Sequence, residues 1–78
     1  MPTVLRIRGL RFHFYSDEGT EPAHIHIRSD EGECKFWLSP ISLARNRGVP
    51  SHKIREIERI VYENQQFLLE RFHEYHGN

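Results

Sequence analysis

The sequence predicts an α+β fold, with a four- or five-stranded antiparallel meander carrying one long C-terminal helix on one face. Residues 3–38 alternate apolar and polar side chains in short runs divided by Gly, Pro and acidic residues, the period of half-buried strands. Residues 51–76 switch to a three-four spacing of apolar positions, the period of an amphipathic helix. The chain has 78 residues, enough for one core and a single domain, since a chain this short buries only about 60 to 65% of its unfolded surface.

The first strand, residues 3–8, sets Thr3, Leu5 and Ile7 against Val4, Arg6 and Arg8 and ends at Gly9. The second, 10–16, places Leu10, Phe12 and Phe14 on one face and Arg11, His13 and Tyr15 on the other. With Arg8-Gly9 as a two-residue hairpin turn, Gly supplying a positive φ, Ile7 pairs with Leu10 and Leu5 with Phe12. Residues 17–22 form a polar loop in which Pro22 holds Glu21 extended. In the third strand, 23–29, Ala23, Ile25 and Ile27 point to the core while His24, His26 and Arg28 point away. Matching apolar positions across the loop pairs Phe14 with Ile25 and Phe12 with Ile27, and therefore Tyr15 with His24, His13 with His26 and Arg11 with Arg28.

Asp30-Glu31-Gly32-Glu33 reads as a second tight turn with Gly32 left-handed, leading into a fourth strand over 34–38. Pairing across it sets Ile27 beside Phe36, Ile25 beside Leu38, Arg28 beside Lys35 and His26 beside Trp37. Residues 39–50 are bounded by Pro40, Gly48 and Pro50, and 41–46 fits an edge strand slightly better than one or two helical turns. Ser51 is the expected N-cap of a helix over 51–76 and Gly77 its stop. Ile54, Ile57, Val61, Leu68, Phe72 and Tyr75 make its apolar stripe, with Ile60 beside it. Such a helix is roughly 39 Å long against roughly 20 Å for a six-residue strand, so one end should overhang the sheet. Phe67, Phe72 or Tyr75 exposed there would invite a second copy, making a homodimer through the helix.

Eleven Lys and Arg balance eleven Asp and Glu, so any basic surface must come from segregation of charge. A lone Cys34, predicted on the core face, rules out an intramolecular disulfide, and no secretion signal or membrane span is legible. A reducing cytoplasm is the expected setting. The six histidines are the oddity of the composition.

The face away from the helix holds three rows: Arg6, Arg11, Arg28 and Lys35; then Val4, His13, His26 and Trp37; then Tyr15 and His24. Like charges side by side repel by tenths of a kcal/mol to about 1 per opposed pair, so a basic row asks for an anion or a partner. The leading expectation is binding of RNA or a partner protein through Arg6, Arg11, Arg28, Lys35 and Trp37 around the histidines. A second reading is a metal-independent endoribonuclease using His13, His24, His26 and Tyr15 as acid and base beside those cations. A third is zinc or copper held by His13, His24 and His26; no strand carboxylate is expected to join them, and no cofactor is favoured. The plain structural alternative has His24 and His26 hydrogen-bonding Tyr15, Glu18, Glu21 or each other to hold the loop, with the charges solvated. His52, His73 and His76 should face solvent.

The opening 1–7 (MPTVLRI), then Phe14-Tyr15-Ser16-Asp17-Glu18-Gly19, Glu21-Pro22-Ala23-His24-Ile25-His26-Ile27, Lys35-Phe36-Trp37-Leu38, Leu43-Ala44-Arg45-Asn46 and His73-Glu74-Tyr75 together resemble the small bacterial domain of unknown function family 4160. The likeness covers essentially the whole chain, and Glu-Pro-x-His-x-His is its most specific run; His76 departs from the aromatic commoner at that place. The resemblance implies a stand-alone, cytoplasmic prokaryotic domain, often encoded beside a small partner protein of domain of unknown function family 2442 in a toxin-antitoxin-like gene pair. It implies no particular activity.

Overall fold

The computed structural model describes residues 3–16 and 20–77. Five strands, β1 (Thr3–Ile7), β2 (Leu10–His13), β3 (His24–Arg28), β4 (Glu33–Leu38) and β5 (Ile41–Arg47), precede two helices, α1 (Ser51–Glu63) and α2 (Gln65–His76). The strands form one antiparallel sheet in the order β1-β2-β3-β4-β5, a meander. The α+β class stands; the single long helix does not.

The helix breaks at Asn64, whose φ of -118° and ψ of 17° leave the helical region. Its amide Nδ2 donates to the Ile60 carbonyl at 2.8 Å, and its backbone N–H reaches the Ile60 and Val61 carbonyls. Asn competes for its own turn's backbone in this way, which is why it ends helices more readily than it continues them. Gln65 then donates from Nε2 to the Leu38 carbonyl at 2.7 Å, tying the start of α2 to the sheet. A straight 39 Å rod would not fit a molecule whose longest extent is 33 Å. Phe72, placed on the overhang by the periodicity, is instead 1% exposed in the core, while Tyr62, Phe67 and Tyr75 remain exposed. At the helix start, Pro50 takes the N-cap position and Ser51 is already helical; at the end, Gly77 closes α2 at φ 75°, as read from the sequence.

The core lies between the sheet and the helices. Phe12, Ile25, Ile27, Phe36 and Leu38 from the strands meet Ile57, Val61, Leu68 and Phe72 from the helices, all buried. Arg8 (φ 52°) and Gly9 (φ 78°) make the left-handed pair of the first hairpin, and Ile7 faces Leu10 as expected. Strand β2 stops at His13 rather than 16, so Phe14 and Tyr15 pair with nothing in the ladder; Phe14 turns inward against Phe72 at 5.6 Å.

The register between β3 and β4 differs from the expected one by two residues: Arg28 faces Glu33, Ile27 faces Cys34, His26 faces Lys35, Ile25 faces Phe36 and His24 faces Trp37. The connection, residues 29–32, is centred one residue earlier than a turn at 30–33, which moves the register by two. Ser29 closes it, donating its N–H to the Gly32 carbonyl and taking the Glu31 and Gly32 N–H groups on Oγ. Gly32 is not left-handed. It is glycine because a Cβ there would land on the Arg47 carbonyl oxygen, and at Gly48 (φ 91°) a Cβ would come within 2.9 Å of the Glu31 carbonyl. These ends of β4 and β5 touch backbone to backbone.

Candidate functional site: a buried histidine cluster beneath an arginine face

Strand alternation does put His13, His24 and His26 on the side of the sheet away from Phe12 and Ile25, and His13 pairs with His26 across β2 and β3. Their surroundings differ from expectation: all three are at most 1% exposed. The chain leaving β2 folds over them. Tyr15 sets its ring edge-on to His26 at 4.4 Å and to His13 at 5.1 Å, while the two imidazoles stack at 5.7 Å. His24 sits apart, its Nδ1–H donating to the Pro22 carbonyl at 2.9 Å and its ring 5.3 Å from Phe72. Glu21 lies 4.0 Å from His24 Nδ1 and pairs with Lys35, so the Glu21-Pro22 segment is anchored to β3 and β4. Glu18, also expected as a partner there, lies outside the described residues.

The two-residue shift of β4 brings a carboxylate to the cluster after all. Glu33 Oε2 accepts from the Tyr15 hydroxyl at 2.8 Å and lies 3.4 Å from His13 Nε2 and 3.6 Å from His26 Nδ1. Its Oε1 accepts from Arg28 at 2.9 Å. Burial alone would raise the Glu33 carboxyl, but the Tyr15 hydroxyl, both imidazoles and Arg28 together hold it below its usual range. His13 shifts the same way for a different reason: burial pushes it down, and Arg11 and His26 add to that, outweighing the attraction of Glu33 and a contact with the Arg11 backbone. His13 is therefore biased toward the neutral imidazole beside an ionised carboxylate. Cys34 is buried on the core side as expected, its thiol pushed up to about 12 by desolvation.

Among the described residues, no three His, Cys, Asp or Glu side chains are grouped to hold a metal ion. The three imidazoles do not share a focus: His24 Nδ1 is directed at Pro22 while His13 and His26 turn toward Glu33. Of the other histidines, His52 and His73 are exposed, and His76 is half-buried against Phe14 and Phe72 rather than solvated.

The shift also rearranges the cations. The basic row runs Arg6, Arg11, Arg28, Glu33, Arg47, and Lys35 moves to the next row with His13, His26 and Arg45. Lys35 is largely buried, paired with Glu21 and 4.6 Å above the half-buried Trp37 ring. Sequence reasoning missed Glu33, Arg45 and Arg47. The strands hold Arg6, Arg11, Arg28, Lys35, Arg45 and Arg47 against the single acid Glu33, so the balanced net charge conceals a segregated one. Among the described residues, Arg6, Arg11, Arg45 and Arg47 have no carboxylate partner, and Arg11 Nε is buried without a hydrogen bond. Two depressions open on this face. A groove of about 260 Å³ runs between Arg6, Arg11, Arg28 and the Ser29-Asp30 turn. A more enclosed recess of about 150 Å³ lies between Tyr15, His26, Glu33, Lys35, Arg45 and Arg47.

Residues 9–73 match the family described as domain of unknown function (DUF4160), which is most of the chain. The chain belongs to that family. No curated protein and no solved structure matches it. In this DUF4160 chain the His-x-His run is built into the sheet as a buried cluster, and the arginines of the neighbouring row lie at the surface beside it. Among the described residues, no helix is long and apolar enough to cross a membrane.

Proposed function

We propose that the protein binds single-stranded RNA through the arginine face of its sheet, with Arg6, Arg11, Arg28, Arg45 and Arg47 taking phosphates and the histidine cluster holding the strands that carry them. The observation that supports this most is the direct pairing of Arg6 with Arg11 and of Arg11 with Arg28 across three strands, with Glu33 in the same row and Asp30 at the adjoining turn as the acids beside them. Neighbouring strands lie roughly 4.8 Å apart, so the guanidiniums stand closer together than their mutual repulsion favours. A polyanion relieves that cost, and planar guanidiniums suit phosphate oxygens. The endoribonuclease reading has less support, because His13 and His24 are sealed from water.

The setting we infer, on the family resemblance alone, is a cytoplasmic, toxin-antitoxin-like two-gene module with a small protein partner. The binding itself is tested by titrating a fluorescent single-stranded RNA at several salt concentrations. Five phosphate contacts at about 0.7 each give a slope of about -3.5 in log affinity against log salt, or roughly 10²-fold between 50 and 200 mM. Arg6→Ala with Arg11→Ala should reduce that slope by about 1.4. Binding that is insensitive to salt and to both substitutions would refute the proposal.

A further inference from the structure

The recess at the β4–β5 end of the face differs from the groove at the other end in shape and in partners. The Arg6, Arg11, Arg28 groove is shallow and open, which suits the inside of a strand that must enter and leave with its sugars. The other recess is lined by Arg45 and Arg47 from the edge strand together with Tyr15, His26, Glu33 and Lys35. Two of its charges are already committed. Lys35 is paired with Glu21, and Glu33 with Arg28 and the Tyr15 hydroxyl. Arg45 and Arg47 are exposed and have no such partner among the described residues, which leaves the mouth with two uncompensated positive charges.

The pair is also held in place. Asn46, between the two arginines, donates from Nδ2 to the Val49 carbonyl and accepts the Val49 N–H on Oδ1, both at 2.9 Å, which locks the end of β5. The glycine contact between residue 32 and the Arg47 carbonyl binds that end to β4. The arginines therefore come on a preorganised backbone, so less freedom is lost when an anion is gripped between them.

From this geometry we infer that the recess is a site for a phosphate monoester, the terminal phosphate of an RNA strand, gripped by Arg45 and Arg47 with Tyr15 and His26 beside them. A terminal phosphate carries up to two negative charges on three free oxygens, so it matches two uncompensated guanidiniums better than an internal phosphate, which carries one charge and is esterified twice. The inference rests on the RNA-binding reading and adds end recognition to it.

The test compares three oligoribonucleotides of one sequence, bearing a 5′-phosphate, a 3′-phosphate or neither, by fluorescence anisotropy with the intact protein. One phosphorylated end should bind about tenfold tighter than the unphosphorylated strand, and the preference should disappear in Arg45→Gln/Arg47→Gln, while the unmodified strand loses about 1.4 of its salt slope and keeps the remainder through Arg6, Arg11 and Arg28. Inorganic phosphate and a nucleoside monophosphate serve as second probes, read by the ring-proton shifts of His26. A shift with the mononucleotide that is lost in the double variant supports the site, even if that variant binds RNA weakly. Equal affinity for all three strands overturns the inference and leaves the RNA reading standing. Binding of none overturns both.

Discussion

Glu33→Gln tests the arrangement at its centre, since the substitution keeps the shape and removes the charge on which four side chains converge. The Tyr15 hydroxyl donates to Oε2 and Arg28 to Oε1, with the imidazoles of His13 and His26 at 3.4 and 3.6 Å. A hydrogen bond to a charged group contributes about 1.5–3 kcal/mol and a neutral one about 0.5–1.5, so neutralising the acceptor costs about 1 kcal/mol at Tyr15. The Arg28 side chain is 58% exposed, and its pair is discounted to a few tenths. The total is about 1.5 kcal/mol. With an unfolding entropy of about 2.1 cal/mol/K per residue, 78 residues give roughly 0.16 kcal/mol/K, and Tm should fall by about 9 °C in a calorimetric scan at neutral pH. The same change frees Arg28 from its carboxylate, so RNA affinity at low salt should rise while the protein becomes less stable. A Tm within 2 °C of the parent protein would show that Glu33 is not the hub described.

Acid should destabilise the parent protein in two stages, read as Tm against pH. The unfolded chain protonates His13 near its ordinary 6.5 while the folded chain resists, so stability falls as pH drops through that value; below Glu33's ordinary 4.5 the second loss begins, and this one should be absent in Glu33→Gln. A Tm that rises on acidification would contradict both. Gly32→Ala drives a methyl into the Arg47 carbonyl, where backbone on both sides cannot yield, and should cost more than about 2 kcal/mol by urea denaturation; a neutral effect would mean the two strand ends are not in contact. Phe72→Ala should cost about 3–5 kcal/mol, a large share of the roughly 4–12 available to a chain of this length, and circular dichroism at 37 °C should show substantial unfolding. The Cys34 thiol should react with a disulfide reagent at pH 8 only after denaturant is added; fast reaction in the folded protein would mean its burial is not maintained.

Most of the sheet was legible because alternation assigns faces, and the His13–His26 and Arg11–Arg28 pairs followed from apolar matching. The β3–β4 register was not, for a reason internal to that method. A slip of two residues returns every side chain to the same face, so Ile25 beside Leu38 and Ile25 beside Phe36 satisfy the pattern equally. Only the connection decides, and its signal was Ser29, a hydroxyl placed to collect the two N–H groups that follow. Missing it hid Glu33 from the cluster and left Lys35 in the wrong row. The helix break had a signal too: between Val61 and Leu68 the apolar stripe meets Asn64 and Gln65 where a hydrophobe was due. That the histidines are covered could not be read from period alone, since a strand's second face is polar in sequence whether water or a loop lies over it.

Because each strand neighbours in space the one that precedes it in sequence, the whole sheet closes through connections of two, ten, four and two residues. Short closures cost little chain entropy, and such a topology assembles on the fast side for a β-rich protein. The costlier step is the docking of Phe72 against Phe14 and His24, across more than forty residues of chain. A nascent chain would thus form its hairpins early and acquire a closed hydrophobic interior only when its last two turns emerge, so premature termination within α2 should yield an aggregation-prone product rather than a smaller working one.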